Sequence, residues 1–449
     1  MMKTSWFQGK HVLVIGLAKS GMAASKLLRR LGAHVTVNDA KDLTGTEEGR
    51  TLKDAGMTVV SGGHPLSLFD SKVDYVVKNP GIRYDTPIIE KAVSLGIPVV
   101  TEMELAGLVA EGDILAITGS NGKTTTTTLI YEILKRSNVH AHIAGNIGKV
   151  ACAVAENTKK DDVMVTEVSS FQLKGTEYFH PKTAVLLNIY DAHLDYHGDR
   201  ADYEYSKGKI FANLTAGDYA VYNADNPSAA SLAQASSAKL IPFSANTEVP
   251  EGAYVKDGAF YFQNMYILSV KEAALPGRHN QENMLAAIAA SMLHGAEAEE
   301  VQAVLKTFTG IEHRLQYVGD VHGRKVYNDS KATNILSTQK AVEAFDGPVV
   351  LIAGGLDRGN EFDALIPSLQ TVKAAVFYGE TRDKLKKAAQ AAGVADTVTV
   401  DSLTEAVRHA YAYTQENDVL LLSPACASWD QFQTFEERGR CFIEEVNKL

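Results

Sequence analysis

Gly119, Gly122, Lys123 and Thr124 lie in the run DILAITGSNGKTTTTTL at 113–129, and their types and spacing suit the handling of a nucleotide's phosphates. Loop glycines let backbone N–H groups approach an anion, and a helix N-terminus presents unpaired donors. Lys123 adds a compact positive charge for the outer phosphates, and Thr124 a hydroxyl for Mg2+. The spacing departs from G-x-x-x-x-G-K-[ST]: the position six before Lys123 is Ile117, and the first glycine comes only at Gly119. The elements restore the reading, because the apolar run 114–117 is a buried strand, 119–122 a tight loop, and Lys123 a helix start.

Other polar groups fall at comparable places. The apolar strand DVMVTE (162–167) ends in Glu167, where a carboxylate facing a phosphate loop is a natural Mg2+ ligand. The strand 183–188 leads to Asp191, His193, Asp195 and His197, a density of potential ligands beyond a strand end. YEYSKGKIF (203–211) is a predicted helix carrying Lys207 and Lys209, and His279, Asn280 and Asn283 crowd the first turn of an Ala-rich helix running to about Leu293.

The elements that must hold these residues form three α/β blocks. Residues 11–39 read strand, glycine turn, helix, strand, with Asp39 where a ribose hydroxyl is often held. Ala18 replaces the middle glycine of the dinucleotide fingerprint, which hinders close approach of a pyrophosphate and disfavours NAD. The strand 75–77 feeds a second turn, Asn79-Pro80-Gly81, at a strand's carboxyl end. The pattern restarts near residue 101. Alternation over 253–270 predicts antiparallel strands around an Asp257-Gly258 turn. Beyond Gly310, strands RKVYND, PVVLIAG, AAVFYG and DVLLLS alternate with helices, and three of their ends carry polar clusters at 328–334, 354–358 and 423–428.

Composition narrows the classes. At 449 residues the chain should hold about three domains of ~150 residues. A net charge of −10 argues against nucleic acid or an acidic membrane as partner. No apolar run is long enough for a membrane span, and the run 12–17 is too short for a signal peptide. Three cysteines without metal spacing, Cys152, Cys426 and Cys441, fit a reducing cytoplasm. No repeat or low-complexity tract is visible.

The set of motifs resembles the Mur ligases of bacterial cell-wall synthesis, a family that includes the folylpolyglutamate synthases. Its carriers are ITGSNGKTT (117–125), GNIG (145–148), EVSSFQL (167–173), HNQEN (279–283), HR (313–314), NDSKATN (328–334) and SPACASWDQF (423–432). GLAKSG (16–21), EVSSFQL and SPACASWDQF are most similar to the branch that adds D-glutamate. The resemblance implies three domains, each on a mostly parallel doubly wound sheet: a Rossmann-like UDP-substrate domain (1–101), a P-loop ATPase-like central domain (102–310), and a Rossmann-like domain for the incoming amino acid (311–449). It implies that ATP phosphorylates the alanine carboxylate of UDP-N-acetylmuramoyl-L-alanine, and that the D-glutamate amine attacks the acyl phosphate to give an amide, ADP and phosphate.

Residue roles follow from the same resemblance. ATP would fall to Gly119, Ser120, Asn121, Gly122, Lys123, Thr124, Thr125, Asn280, Asn283, Arg314 and Asp329. Two Mg2+ ions would be served by Thr124, Glu167, His193 and Lys207, the last as a carbamate; Lys123, His193, Lys207 and Arg314 would be catalytic. Carbamylation turns a cation into a carboxylate-like ligand and requires a neutral amine, hence a depressed lysine pKa. Lys209, two residues on, is the competing candidate. The UDP substrate would meet Lys19, Ser20, Asp39, Asn79, Gly81, Asn146 and Ser169, and D-glutamate would meet Thr333, Arg358, Ser428 and Phe435. Arg358 stands where some members carry lysine, and a guanidinium can hold a carboxylate bidentately. The protein is expected to be a cytoplasmic monomer without membrane insertion. The rival readings are a folylpolyglutamate synthase or another amino-acid ligase of this family, a dinucleotide-dependent oxidoreductase, and a non-catalytic nucleotide switch. A synthase of the folate type should begin close to its phosphate loop, whereas about a hundred residues precede this one.

Overall fold

A computed structural model describes residues 4–190, 194–345 and 347–449. The chain divides into two compact units, Met1–Phe308 and Thr309–Leu449.

The first unit holds two sheets among its described residues. Strands β1 (His11–Ile15), β2 (His34–Asp39), β3 (Thr58–Ser61), β4 (Tyr75–Lys78) and β5 (Val99–Val100) form an all-parallel sheet in the order β3-β2-β1-β4-β5. The order reverses at β1, and the turns after β1 and β4 share that edge, the usual place for a ligand in an open α/β sheet.

The second sheet runs β14-β13-β12-β11-β10-β9-β6-β8-β7. Its parallel part comprises β6 (Asp113–Thr118), β7 (Ala141–Gly145), β8 (Val163–Glu167), β9 (Thr183–Leu186), β10 (Tyr219–Asn223) and β11 (Lys239–Ser244). Along β6, Ile114 and Ala116 feed one apolar cluster while Leu115 and Ile117 feed another, so the strand is covered on both faces. The helices Lys123–Arg136 and Arg278–Leu293 close the second face, and Met284, Ala286, Ala287, Ile288 and Ala290 of the latter are fully buried. Small alanines let the two helices and the sheet approach closely. β12 (Ala253–Lys256), β13 (Ala259–Phe262) and β14 (Met265–Ser269) extend the sheet, β12 parallel to β11 and then antiparallel. The expected turn at Asp257-Gly258 is present, and a second at Gln263-Asn264 also has both residues left-handed.

In the second unit the strands are β15 (Gln316–Val321), β16 (Arg324–Asn328), β17 (Val349–Gly354), β18 (Val372–Tyr378), β19 (Asp396–Thr399) and β20 (Val419–Leu422). The order is β15-β16-β20-β17-β18-β19, parallel except for the edge pair β15–β16. This places the polar clusters after β16, β20 and β17 on three adjacent strand ends. The three-domain, mostly parallel α/β class expected above is the architecture found. Each unit carries one of the chain's two tryptophans: Trp6, whose indole N–H donates to Tyr75 Oη at 2.9 Å, and the exposed Trp429. Among the described residues no helix is long and apolar enough to cross a membrane, and all three cysteines are free thiols.

Candidate active site

The loop between β6 and the helix Lys123–Arg136 is shaped by two close approaches. A Cβ on Gly119 would stand 2.9 Å from Leu187 Cβ, and one on Gly122 only 2.1 Å from Asn283 Oδ1. Gly122 caps the helix in the left-handed region (φ +82°) without a side-chain cap, so the helix end opens onto the loop. The Asn188 carbonyl and Oδ1 accept the Ser120 and Asn121 amides, both at 2.9 Å. Ser120 Oγ lies 2.9 Å from Tyr203 Oη. Asn188 and Tyr203 therefore fix the loop's shape, a duty that sequence reading did not assign. Lys123 Nζ donates to the Gly119 carbonyl at 2.7 Å and the Ser120 carbonyl at 2.9 Å, which holds its charge over the loop.

Lys207 comes to the same loop. It lies on the helix Arg200–Gly208, is 1% exposed, and donates to the Gly119 carbonyl at 2.8 Å. Its ammonium sits 4.8 Å from the Tyr203 ring centroid. Burial, and secondarily the Lys123 charge, hold its pKa well below the ordinary lysine value against the opposing pull of Glu167. Lys209 points elsewhere, donating to the Lys174 carbonyl at 3.1 Å. Geometry thus separates the two lysines that sequence spacing left in competition.

Glu167 ends β8 fully buried. Its Oε1 accepts from Asn146 Nδ2 at 2.8 Å, while Oε2 is buried without a hydrogen-bond partner. An orphaned buried carboxylate oxygen costs free energy unless something positive meets it, so this donor set fits a bound divalent cation. Thr124, also buried, lies one residue into the helix that begins at the loop. Asn146 is tied to Glu167 twice, since its backbone N–H also donates to the Glu167 carbonyl at 3.0 Å. His193 lies outside the described residues, as does Asp191. His197 is buried between Asp202 (2.6 Å) and Ser170 Oγ (3.0 Å), a structural setting.

Around the start of the helix Arg278–Leu293, Asn283 Oδ1 accepts from Thr126 Oγ1 at 3.4 Å, Asn283 Nδ2 donates to Asn280 Oδ1 at 3.2 Å, and Asn280 Nδ2 donates to the Pro276 carbonyl at 2.7 Å. The two asparagines thus flank the phosphate loop. In the first sheet, Asp39 accepts the amides of Leu17 (2.6 Å) and Lys41 (2.8 Å), and Asn79 Nδ2 donates to Ser20 Oγ at 2.9 Å while its Oδ1 accepts from the Gly81 amide at 3.0 Å. Gly16 (φ +87°) packs so closely that a Cβ would lie 2.8 Å from Asn79 Cβ. Lys19, Ser20, Asp39, Asn79 and Gly81 are therefore gathered at one edge. Ser169 caps the helix Ser170–Lys174 through a reciprocal box with Gln172.

In the second unit, Asp329 is buried, accepting from Ser423 Oγ at 2.8 Å and the Leu315 amide at 3.1 Å. Burial raises its pKa to about 7, with Arg314 among the charges that oppose the rise. Ser428 is buried and Arg358 lies over the Trp429 ring at 4.8 Å. Ser330 Oγ donates to the Phe435 carbonyl at 2.7 Å, which binds the 328–334 segment to the helix Phe435–Val446. Thr333 sits in that segment, its amide bonded to the Lys331 carbonyl at 2.9 Å. Fully buried Arg438 joins the segment to the next cluster, donating to the Ser330 carbonyl at 2.8 Å and the Cys426 carbonyl at 3.0 Å. It too went unassigned in the sequence, where an arginine on a charged helix gives no signal of burial.

Three family models match the chain: Mur ligase MurD-like, N-terminal domain at 10–101, Mur ligase middle domain at 117–291, and Mur ligase, glutamate ligase domain at 313–426. The chain is 55% identical over 450 residues to the UDP-N-acetylmuramoylalanine–D-glutamate ligase of Geobacillus kaustophilus, covering 100% of both. It is also 55% identical over 449 residues to the like-named enzyme of Halalkalibacterium halodurans, again covering 100% of both. Among solved structures, it resembles the UDP-N-acetylmuramate-alanine ligase MurC of Thermotoga maritima (TM-score 0.56, 19% identity, 98% of this chain and 99% of that one). MurF of Acinetobacter baumannii is similar at TM-score 0.56 and 16% identity, with 96% and 93% covered. At such identities the structural likeness speaks for the fold.

Proposed function

The chain belongs to the Mur ligase family, and from that premise we propose that it joins D-glutamate to UDP-N-acetylmuramoyl-L-alanine at the expense of ATP, in peptidoglycan precursor synthesis. The observation that carries the mechanism is Lys207 buried against the phosphate loop opposite the orphaned oxygen of Glu167. The alanine carboxylate attacks the γ-phosphorus of ATP, forming an acyl phosphate as ADP departs. The D-glutamate amine then attacks the acyl carbon, phosphate leaves, and the amine's proton is released with formation of the amide.

Two anions, carboxylate and triphosphate, must be brought together, so cationic groups decide the rate. Lys123 and the loop amides hold the outer phosphates. Thr124 and Glu167, with His193, would hold Mg2+, which supplies charge neutralisation of the phosphate oxygens. Lys207 reacts as its neutral amine with CO2: Nζ forms the N–C bond, loses a proton, and becomes a carbamate. Burial first, and the Lys123 charge second, keep the amine neutral beforehand, and the carbamate places a negative charge beside Lys123. Asn280 and Asn283, with Arg314 and Asp329, serve ATP. Lys19, Ser20, Asp39, Asn79, Gly81, Asn146 and Ser169 serve the sugar nucleotide. Thr333, Arg358, Ser428 and Phe435 serve D-glutamate, the guanidinium of Arg358 taking a carboxylate.

The test is phosphate release from ATP and Mg2+ with UDP-N-acetylmuramoyl-L-alanine, comparing D-glutamate, L-glutamate, L-lysine and meso-diaminopimelate. Release with D-glutamate alone is expected. Release with a diamino acid, or with a folate acceptor, would reassign the chain to a sister activity on the same scaffold.

A further inference from the structure

Lys78, the last residue of β4, is 1% exposed and has no carboxylate partner among the described residues. Its ammonium instead donates to the carbonyls of Ile82 (2.8 Å) and Pro80 (3.3 Å) and to Tyr196 Oη (3.0 Å). The Asn79 carbonyl stands farther off at 3.5 Å, so three carbonyls and one hydroxyl surround the ammonium. Tyr196 Oη lies equally close to the same turn, 3.0 Å from the Pro80 carbonyl and 3.2 Å from that of Ile82. The Tyr84 ring covers the cation from the side at 4.6 Å. Residues 79–82 are the turn whose other face is held by Gly16 and Ser20.

A buried cation compensated only by dipoles is costly, and an apolar side chain of similar length would serve stability better. Burial, and secondarily the charge of Lys174 nearby, lowers the Lys78 pKa to about 7, the direction such a cost requires. Lys174 is itself neutralised by Asp202 at 2.7 Å, and Arg83 by Asp85 at 2.6 Å, so neither carboxylate serves Lys78. The cost is offset by what the lysine does to the turn: it gathers three carbonyls on the inner side and fixes Tyr196, on the short helix Leu194–His197, beneath them.

We propose that Lys78 is a positioning residue, which ties the 79–82 turn to Tyr196 and so holds the sugar-nucleotide turn in the shape that receives the UDP end of the substrate. The inference rests on the sugar-nucleotide reading of the first sheet given above.

Two variants of the full-length enzyme test it, Lys78→Met and Tyr196→Phe, assayed for kcat and for each substrate's KM. Titration calorimetry with UDP-N-acetylmuramoyl-L-alanine and thermal melting complete the set. Lys78→Met should raise KM and Kd for the sugar nucleotide about tenfold, with kcat and the KM for ATP changed by less than about twofold; Tyr196→Phe should move the same constants by about threefold. Unchanged sugar-nucleotide constants in Lys78→Met overturn the inference, as does a parallel loss in kcat and every KM together with a lowered Tm. If Lys78→Met does not fold, Tyr196→Phe decides alone, and an unaltered KM there overturns it. A wild-type enzyme that fails to bind UDP-N-acetylmuramoyl-L-alanine would instead defeat the underlying reading, and the inference with it.

Discussion

Lys207 and Lys209 are two residues apart on one surface of sequence, yet one is sealed against the phosphate loop and the other reaches the Lys174 carbonyl. Lys207 lies on the helix Arg200–Gly208, whereas Lys209 is that helix's C-cap and opens the 3-10 turn Lys209–Phe211, so the two side chains leave the backbone in different directions and only Lys207 meets the loop. Lys207→Ala should therefore lower turnover by at least about a hundredfold, whereas Lys209→Ala should stay within a few-fold of wild type. A short-chain carboxylic acid should restore part of the Lys207→Ala activity by refilling the carbamate's place. Full activity of the unsupplemented variant in the phosphate-release assay would eliminate the role. Sequence could name both lysines because their spacing from Tyr203 is visible. It could not choose, since the choice is made by burial. Asn188 and Arg438 were illegible for a related reason: each bonds backbone carbonyls or amides from distant segments, and such partners leave no residue-type signature. Lys78 was illegible because its partners, the carbonyls of the turn that follows it and the distant Tyr196 hydroxyl, do not announce its burial in the sequence.

At the scale of elements, the strand, the loop and the helix start at 113–123 were legible nearly to the residue, because an apolar run, a glycine-bounded loop and Gly-Lys-Thr are all local signals. The three polar strand ends of the second unit were legible likewise. What sequence missed were β3, β7, β10, β11, β15 and β19. Each has exposed or half-buried positions that blur the apolar run, and β3, β7, β15 and β19 lie at sheet edges. The loop's own geometry yields a prediction. Gly122→Ala must place a Cβ at φ +82° and against Asn283 Oδ1, so it should cost about 1–2 kcal/mol of stability and displace Asn283. Thermal melting should show the loss, and KM for ATP should rise. An unchanged Tm would mean that the helix start relaxes to accommodate the methyl.

For the whole molecule, the pH dependence of stability carries a mark from Asp329, whose buried carboxyl has its pKa raised from 3.8 to about 7. Because the folded form holds its proton more tightly than the unfolded chain, the stability this group contributes is fully present below about pH 4 and is lost as pH rises through about 7. Asp329→Asn should accordingly be the more stable form above pH 7, by on the order of 2–4 kcal/mol at most. The gap should close as pH falls toward 4. Ser423 Oγ can turn from Asp329 to Thr338 Oγ1, 3.0 Å away, so the amide is accommodated. Melting curves of both proteins across that range check the sign; a gap that widens on acidification would refute it.

The placement of the two indoles also makes the protein its own double reporter. Trp6 sits in the unit Met1–Phe308 and Trp429 in the unit Thr309–Leu449, so each emits from a separate body of the chain. Trp6→Phe leaves the emission of the second unit alone, and Trp429→Phe that of the first. Comparing the two denaturant titrations, with no dye or label attached, distinguishes a chain that melts in one cooperative step from one that comes apart unit by unit.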